Sequence, residues 1–376
     1  MNITKDDIEV FIKNYNDKII DENIIHELSE IYLIDNNNQR YVLETLVKNC
    51  IHELKIKEEN IKKRRKQLNQ LKQLKLPDQR TKEWYEMRKN KLTASALGSA
   101  IGHCHFQSRD ELILSKIEEK PFEPNPITEW GVKYEEVAIM FYEELYKVKV
   151  LEFGLIPHPE FEAFGASPDG ICDDTGNDEY LGRMVEIKCP PKRKFTKTVP
   201  PHYLMQVKGQ LEVCKLDECD FFQVKLLEYE NFEEYCKDTF VDDDHKVEGR
   251  TSHNFPKGVV ITYKHGEKLS YKYAVLNQTN QQLLDWIEEQ NKENRFEVKW
   301  WKIERFECTL VTRDNKWWMN TIGSILNFYS DLIHYKENPD ELEKLKKRIE
   351  ESKKRKKKVE LKLMNEFQLI SDEEDN

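Results

Sequence analysis

Apolar residues recur at a helical period through the first part of the chain. Ile8, Phe11, Ile12 and Tyr15, then Ile24, Ile25, Leu28 and Ile31, fall near the 3.6-residue spacing of a helix face. They predict a helical N-terminal extension. It runs into a strongly charged helix over residues 51–76, which stops at Leu76-Pro77-Asp78 because proline lacks an amide hydrogen and clashes with the turn before it. From Trp84 to about Tyr229 helical and β-rich runs alternate, the pattern of an α/β layer rather than a bundle. A helix over 128–146 sets Glu135, Ala138, Ile139 and Tyr142 on one face. Residues 161–171 and 184–189 read as strands joined by a polar turn over 173–178. Residues 203–213 read as a helix and 220–229 as a further strand.

Beyond that layer the pattern predicts an acidic loop, a hairpin over 258–263 and 270–275, and aromatic helices carrying Trp300-Trp301 and Trp317-Trp318. Such tryptophans bury area in a core more often than they stack bases of a separated strand. After Asn338 the chain reads as a charged helix and polar tail. Its basic run 353–358 lacks apolar partners, so a solvated face outranks a DNA-contacting arm or nuclear-import signal. The expected organisation is a helical extension (1–77), a core (78–235), a mixed extension packed on that core (236–338) and a charged helix with tail (339–376).

Composition narrows the class. A charged fraction of 35% against 38% hydrophobic places charged helices outside a core of ordinary size. No stretch approaches the roughly 18–20 apolar residues of a membrane helix, and Met1-Asn2-Ile3-Thr4-Lys5-Asp6-Asp7 is too polar for a signal peptide. The expectation is a soluble intracellular protein, cytoplasmic or nuclear, with no membrane partner. The eight cysteines lack disulfide spacing, so thiols are expected; Cys214, Cys219 and Cys236 lack the CxxC pair of a metal cluster. A net charge of −10 lowers the expectation of nucleic-acid binding, but basic residues cluster at 62–66, 192–194 and 353–358, and acids at 242–244 and 372–375. Basic stripes on an acidic chain remain compatible with a DNA channel.

The chemistry-bearing segment is Gly165-Ala166-Ser167-Pro168-Asp169-Gly170 followed by Val185-Glu186-Ile187-Lys188-Cys189-Pro190. Side chains alternate along a strand, so Glu186 and Lys188 share a face about 7 Å apart, while Ile187 points into the opposite layer. The Ile187 carbonyl can face the acids. Two carboxylates and a carbonyl form a hard oxygen site suited to Mg²⁺, with Mn²⁺ as a substitute. A phosphodiester needs charge neutralisation, a deprotonated water and a stabilised leaving alkoxide, which such ions supply, and Lys188 could orient the attacking water. Asp169-Gly170 as a plain turn, and Glu186 and Lys188 as an exposed charged face, account for the same letters.

The surrounding text favours the first alternative. Trp84-Tyr85-Glu86-Met87-Arg88 with Leu92-Thr93-Ala94-Ser95, Trp130-Gly131-Val132-Lys133-Tyr134-Glu135, the Ser-Pro-Asp-Gly and Glu-Ile-Lys-Cys-Pro blocks, and Tyr203-Leu204-Met205-Gln206-Val207 occur in order. Over roughly residues 84–229 the chain resembles the lambda-type exonuclease family, or YqaJ-like viral recombinases, of the PD-(D/E)xK nuclease superfamily. The resemblance implies a restriction-endonuclease-like α/β core, a central mixed sheet flanked by helices. It implies that Asp169, Glu186 and Glu135 are metal ligands, that Lys188 is the catalytic lysine, and that Gln206 helps define the site with Tyr203, a DNA contact, one turn away. Arg88, Ser95 and Ser167 match residues that grip the terminal 5′-phosphate. Where the family carries a further acid ahead of its Pro-Asp, this chain has Pro159-Glu160, and Glu160 stays unassigned. The turn between Asp169 and Glu186 is longer than in the phage enzyme.

The implied activity is metal-dependent 5′-to-3′ exonuclease action on linear double-stranded DNA in recombination, repair or replication. Its partners would be DNA ends and a single-strand annealing protein; a homo-oligomer is compatible with the resemblance. An endonuclease of the same fold and a catalytically retired DNA-binding scaffold are the alternatives. The Asn-, Lys- and Ile-rich style with these extensions is similar to versions from large DNA viruses of eukaryotes.

Overall fold

The computed structural model describes residues 3–14, 21–34, 36–118, 125–192, 195–290 and 292–374. Met1, Asn2, Tyr15, Arg193, Lys194 and Asp375, named above for charge or periodicity, lie outside them. The chain divides into residues 1–72 and 73–376. In the first unit α1 (Lys5–Asn14), α2 (Asp21–Ile31) and α3 (Asn37–Lys72) close on one another. The periodic Ile8, Ile12, Ile24, Ile25 and Leu28 pack against Leu43, Val47, Cys50 and Ile51. The charged helix expected over 51–76 is the second part of α3, and it ends at Lys72.

The second unit opens with α4 (Lys82–Asn90), capped by the Thr81 hydroxyl, which accepts the Trp84 N–H. The short β1 (Leu92–Thr93) leads into α5 (Ala94–Ala100), followed by α6 (Arg109–Ile117) behind a Ser108/Glu111 capping box. Asn125 and Pro126 start α7 (Pro126–Tyr146), which ends on the left-handed Lys147. Four short strands follow: β2 (Val150–Leu151), β3 (Ile156–Pro157), β4 (Phe164–Ala166) and β5 (Gly170–Cys172). Then come β6 (Met184–Lys188), α8 (Pro201–Cys214), β7 (Glu218–Glu228), α9 (Phe232–Lys237) and the small hairpin of β8 (Phe240–Asp242) and β9 (His245–Val247). The chain ends through β10 (Lys257–His265), β11 (Lys268–Tyr273), α10 (Asn280–Glu289), β12 (Arg295–Thr312), α11 (Asn315–Glu337) and α12 (Pro339–Glu374). In the basic run, Lys353, Lys354 and Arg355 are exposed on α12, as a solvated face requires.

A seven-stranded mixed sheet, ordered β11-β10-β12-β7-β6-β5-β2, forms the centre, with β6 and β7 parallel and its other neighbours antiparallel. A second sheet, β1-β4-β3, lies outside it. Alternation along β6 and β7 sends Val185, Ile187, Phe222, Val224 and Leu226 to one face, where α7 contributes Tyr134, Val137, Ala138, Phe141 and Tyr142. Glu186 goes to the other face, where α8 lies. The fold class expected from the sequence is the one observed, an α/β core with a mixed sheet flanked by helices.

Two expectations are corrected. The single strand over 161–171 is two strands in different sheets, β4 and β5, with Ser167-Pro168-Asp169 crossing between them. Proline cannot donate to a ladder, so pairing breaks there. The Trp300-Trp301 segment is strand, within β12, rather than helix. Adjacent tryptophans there mean that both faces are covered: Trp300 packs with Tyr229 and Tyr235, and Trp301 with the α7 cluster. With Trp318 also buried, core packing accounts for three of the four tryptophans, and Trp317 is half-buried beside Lys208.

Trp301 is fully buried opposite Gly258, where a Cβ would come 2.7 Å from its ring. Trp301→Ala should therefore cost about 3–5 kcal/mol. The check is a lower denaturant midpoint at an unchanged slope; a midpoint equal to wild type would contradict this packing.

Candidate active site

The site forms where β5 and β6 part. Their ladder pairs Ile171 with Met184 and Gly170 with Val185, and then stops. Asp169 therefore stands just outside the sheet, and its Oδ2 accepts the Ile187 N–H at 2.7 Å. Gly170 is required next to it, because a Cβ would lie 2.1 Å from Val150 Cγ1 on β2. The Gln79 amide secures the crossing by donating to the carbonyls of Phe153 at 2.8 Å and Pro168 at 3.2 Å.

Glu186, at 0% exposure, is a carboxylate in the core. Such a group is tolerable only when hydrogen-bonded and paired. Gln206 Nε2 donates to its Oε1 at 2.6 Å, Gln210 Nε2 donates to its Oε2 at 2.7 Å, and Lys188 forms an ion pair with Oε1. Lys188 also lies 5.1 Å from the Tyr203 ring centroid. Burial opposes the charge on Lys188, but the Glu186 and Asp169 carboxylates outweigh it and hold the ammonium proton above its usual range. Asp169 is pushed well above the ordinary carboxylate range by burial, then by repulsion from Glu186 and Glu135. Glu135, on α7, rises for the same first reason, although Arg80 donates to its Oε1 at 2.8 Å.

The sequence-derived Asp169, Glu186, Lys188, Gln206, Glu135 and Tyr203 thus occupy one electrostatically connected region, and the exposed-face alternative fails for Glu186. Gln210 and Arg80 escape sequence reasoning. Gln210 had a signal, since it falls one helical turn after Gln206; Arg80, on the loop before α4, had none. Glu160 is exposed in the β3–β4 turn and is not among the main charges acting on Asp169 or Glu135, whereas Glu152 acts on Glu135. Among the described residues no three acidic, histidine or cysteine side chains stand arranged to hold a metal ion. The donor chemistry nevertheless suits one: carboxylates that raise one another's proton affinity are oxygen ligands that a hard divalent cation would relieve.

Beside this region lies a second group. Arg88 stacks over Trp84 at 4.3 Å and donates to Ser95 Oγ at 3.2 Å, while Trp84 Nε1 donates to Ser167 Oγ at 3.1 Å. Arg88, Ser95 and Ser167 are therefore joined through one indole. Thr93, whose hydroxyl is 3.1 Å from that of Ser95, is an addition. Lys116 on α6 anchors the end of α4, donating to the carbonyls of Arg88 at 2.8 Å and Lys91 at 2.7 Å.

A family model described as the YqaJ-like viral recombinase domain matches residues 83–217. An uncharacterized protein of Acanthamoeba polyphaga mimivirus is 29% identical over 333 residues, covering 79% of this chain and 60% of that protein. The chain thus spans about 60% of the length of this relative. Among solved structures, an alkaline exonuclease from Laribacter hongkongensis aligns at a TM-score of 0.39 with 21% identity, covering 72% of this chain and 99% of that one. A phage-related exonuclease from Haemophilus somnus 129PT aligns at 0.36 with 13% identity, covering 67% and 96%.

Burial, then the positive charges of Arg88 and Lys336, lower the Lys116 amine to about 8 from an ordinary 10.5. Below about pH 8 the amine is charged in both the folded and unfolded chain, and its burial penalty is fully present. Between pH 8 and 10.5 the folded chain releases the proton that the unfolded chain retains, so stability rises with pH. The stability of wild type relative to Lys116→Met should climb across that window. Denaturant midpoints of both proteins at several pH values check it, and parallel curves would contradict it.

Proposed function

From the match of residues 83–217 to a family model described as the YqaJ-like viral recombinase domain, we propose that the chain is a metal-dependent deoxyribonuclease that digests linear double-stranded DNA from its 5′ ends. The observation that carries the reading is the buried Glu186 carboxylate, held by Lys188, Gln206 and Gln210 beside Asp169. A stability role alone does not call for a charge in that position, since buried ion pairs are often no better than apolar packing. A phosphodiester hydrolase does call for acids and a fixed cation at one place.

Asp169 and Glu186, with Glu135 and the Ile187 carbonyl, are the residues that would hold Mg²⁺ or Mn²⁺. Such a cation, when bound, neutralises the diester and lowers the pKa of water. Lys188 keeps its proton, so it acts as a fixed positive charge that orients the attacking water and offsets charge building on the phosphate oxygens. Gln206 and Gln210 hold the Glu186 carboxylate in place. Arg88, with Ser95 and Ser167, receives the terminal 5′-phosphate: the guanidinium offers paired donors, and the hydroxyls neutral ones. Ser167 precedes Asp169 by two residues, so a phosphate gripped there sets the next diester near the acids, and positioning lowers the barrier. The single strand left behind would be taken up by an annealing protein.

Asp169→Ala, Glu186→Ala and Lys188→Ala should each abolish Mg²⁺-dependent loss of end-labelled linear duplex, with closed circular DNA intact throughout. Unimpaired turnover in one of them removes that residue from the site, and equal loss of circular DNA replaces the exonuclease with an endonuclease.

For the phosphate group, wild type should digest 5′-phosphorylated ends faster than 5′-hydroxyl ends. Arg88→Ala should slow phosphorylated ends by roughly one to two orders of magnitude, the ~1.5–3 kcal/mol of a hydrogen bond to a charged group, and barely alter hydroxyl ends. Initial rates on both ends decide it: indifference of wild type, or equal slowing of both, would sink the phosphate assignment while leaving the acid site standing.

A further inference from the structure

A series of aromatic rings runs outward from the lysine of the site. Lys188 Nζ lies 5.1 Å from the Tyr203 ring, and Tyr203 is 4.1 Å from His202. His202 in turn meets His105 edge-on at 5.1 Å and Phe106 at 5.4 Å, and these two rings lie 3.8 Å apart. Tyr203 and His202 open α8, whereas His105 and Phe106 sit on the loop after α5. The inner members are half-buried. His105 is exposed, and Phe106 is 73% exposed.

The backbone is fixed just ahead of the outer pair. The His103 N–H donates to the Gly98 carbonyl at 2.7 Å and the Gly102 N–H to the Ser99 carbonyl at 3.2 Å, and Gly102 adopts φ +79°, which favours glycine. Gly98 also lets α5 approach α8 closely, since a Cβ there would stand 3.2 Å from His202 Cβ. A ring needed only for packing gains by turning inward, because removing its apolar area from water is favourable. Here Phe106 instead faces outward, at the end of a ring series that starts at the site.

We propose that Phe106, with His105 and His202 behind it, is a stacking platform for an unpaired nucleobase at the end of the DNA substrate, a role additional to the acids, the lysine and the phosphate group. It rests on the nuclease reading above and specifies how the end is presented. A base inside a duplex has both faces covered by its neighbours, whereas a base released from its partner offers a π-face, and aromatic side chains take it without regard to sequence. The same helix that carries Ser95 at its first turn leads into the loop that bears the platform, and its seven residues span about 10 Å at 1.5 Å each. In this arrangement the phosphate of a strand is held at the start of α5 and its terminal base meets Phe106 on the loop beyond the helix.

Two measurements on the full chain test this. The first uses duplexes carrying 2-aminopurine at the 5′-terminal nucleotide, bound in EDTA so that nothing is cut. Wild type and Phe106→Trp should change the probe's fluorescence by stacking, and Phe106→Ala should lose most of that change while circular dichroism shows a folded protein. The second compares hydrolysis of paired ends with ends mismatched over the terminal pairs. Phe106→Ala should slow paired ends by roughly five- to a hundredfold, the scale of one lost stacking contact, recover on mismatched ends, and be restored by Phe106→Trp. An unchanged probe signal in Phe106→Ala, or equal rates for wild type and variant on paired ends, overturns the platform. If wild type cuts no DNA at all, the nuclease reading fails, and the probe in EDTA still decides the platform by itself.

Discussion

A carboxylate with no solvent exposure constrains everything around it. Glu186 at 0% exposure must be met by donors on both oxygens, and two glutamine amides and an ammonium meet it. Because Gln206 and Gln210 are successive turns of α8, the helix must lie along β6 at one rotation and one height. Small residues permit this. A Cβ at Gly209 would fall 3.1 Å from Leu97 and 3.2 Å from Phe164, so α5 and β4 press directly on α8 at that turn. The position of α5, and with it Ser95 and the loop bearing Phe106, thus follows from the demand that Glu186 be satisfied.

The other half of the site depends on an interruption. Pro168 has no amide hydrogen to give to a ladder, and the chain passes from one sheet to another between Ala166 and Gly170. Had the strand continued, the Ile187 N–H would have paired with backbone; it pairs instead with the Asp169 carboxylate. The crossing therefore converts a sheet hydrogen bond into a link between the two halves of the site, and Gln79 holds the crossing from outside.

These features divide what was legible in the sequence from what was not. Period-two alternation in Val185-Glu186-Ile187-Lys188 placed acid and lysine together and Ile187 in the opposite layer, and the structure agrees. Periodicity likewise found α1, α2 and α7, because each has one apolar face. It failed where burial is two-sided: Trp300 and Trp301 face different clusters, and a strand covered on both faces shows no alternation to distinguish it from a buried helix. Arg80 was invisible because its partner Glu135 is 55 residues away, and no local pattern encodes such a pairing. Burial of the Lys116 amine under α4 was hidden for the same reason.

Formal charge shows the same separation between the chain and its parts. The −10 total counts carboxylates that the fold has already matched. Glu228 accepts from Lys133 at 2.7 Å and from Tyr134 at 2.5 Å, Asp220 accepts from Tyr142 at 2.7 Å beside Arg183, and Asp238 accepts from Lys302 at 2.8 Å and Tyr229 at 2.8 Å. Such acids are anchored inside and project little field outward, since a paired charge is felt mainly by its partner. Arg88, by contrast, meets a serine hydroxyl and an indole face among the described residues, and burial lowers its proton affinity. A half-buried guanidinium without a carboxylate partner is stabilised by any anion that reaches it, and more strongly than in open water because the local dielectric is lower. The pull of Arg88 on an anion is therefore governed by one residue's surroundings, and the sign of the whole chain's charge has little bearing on it.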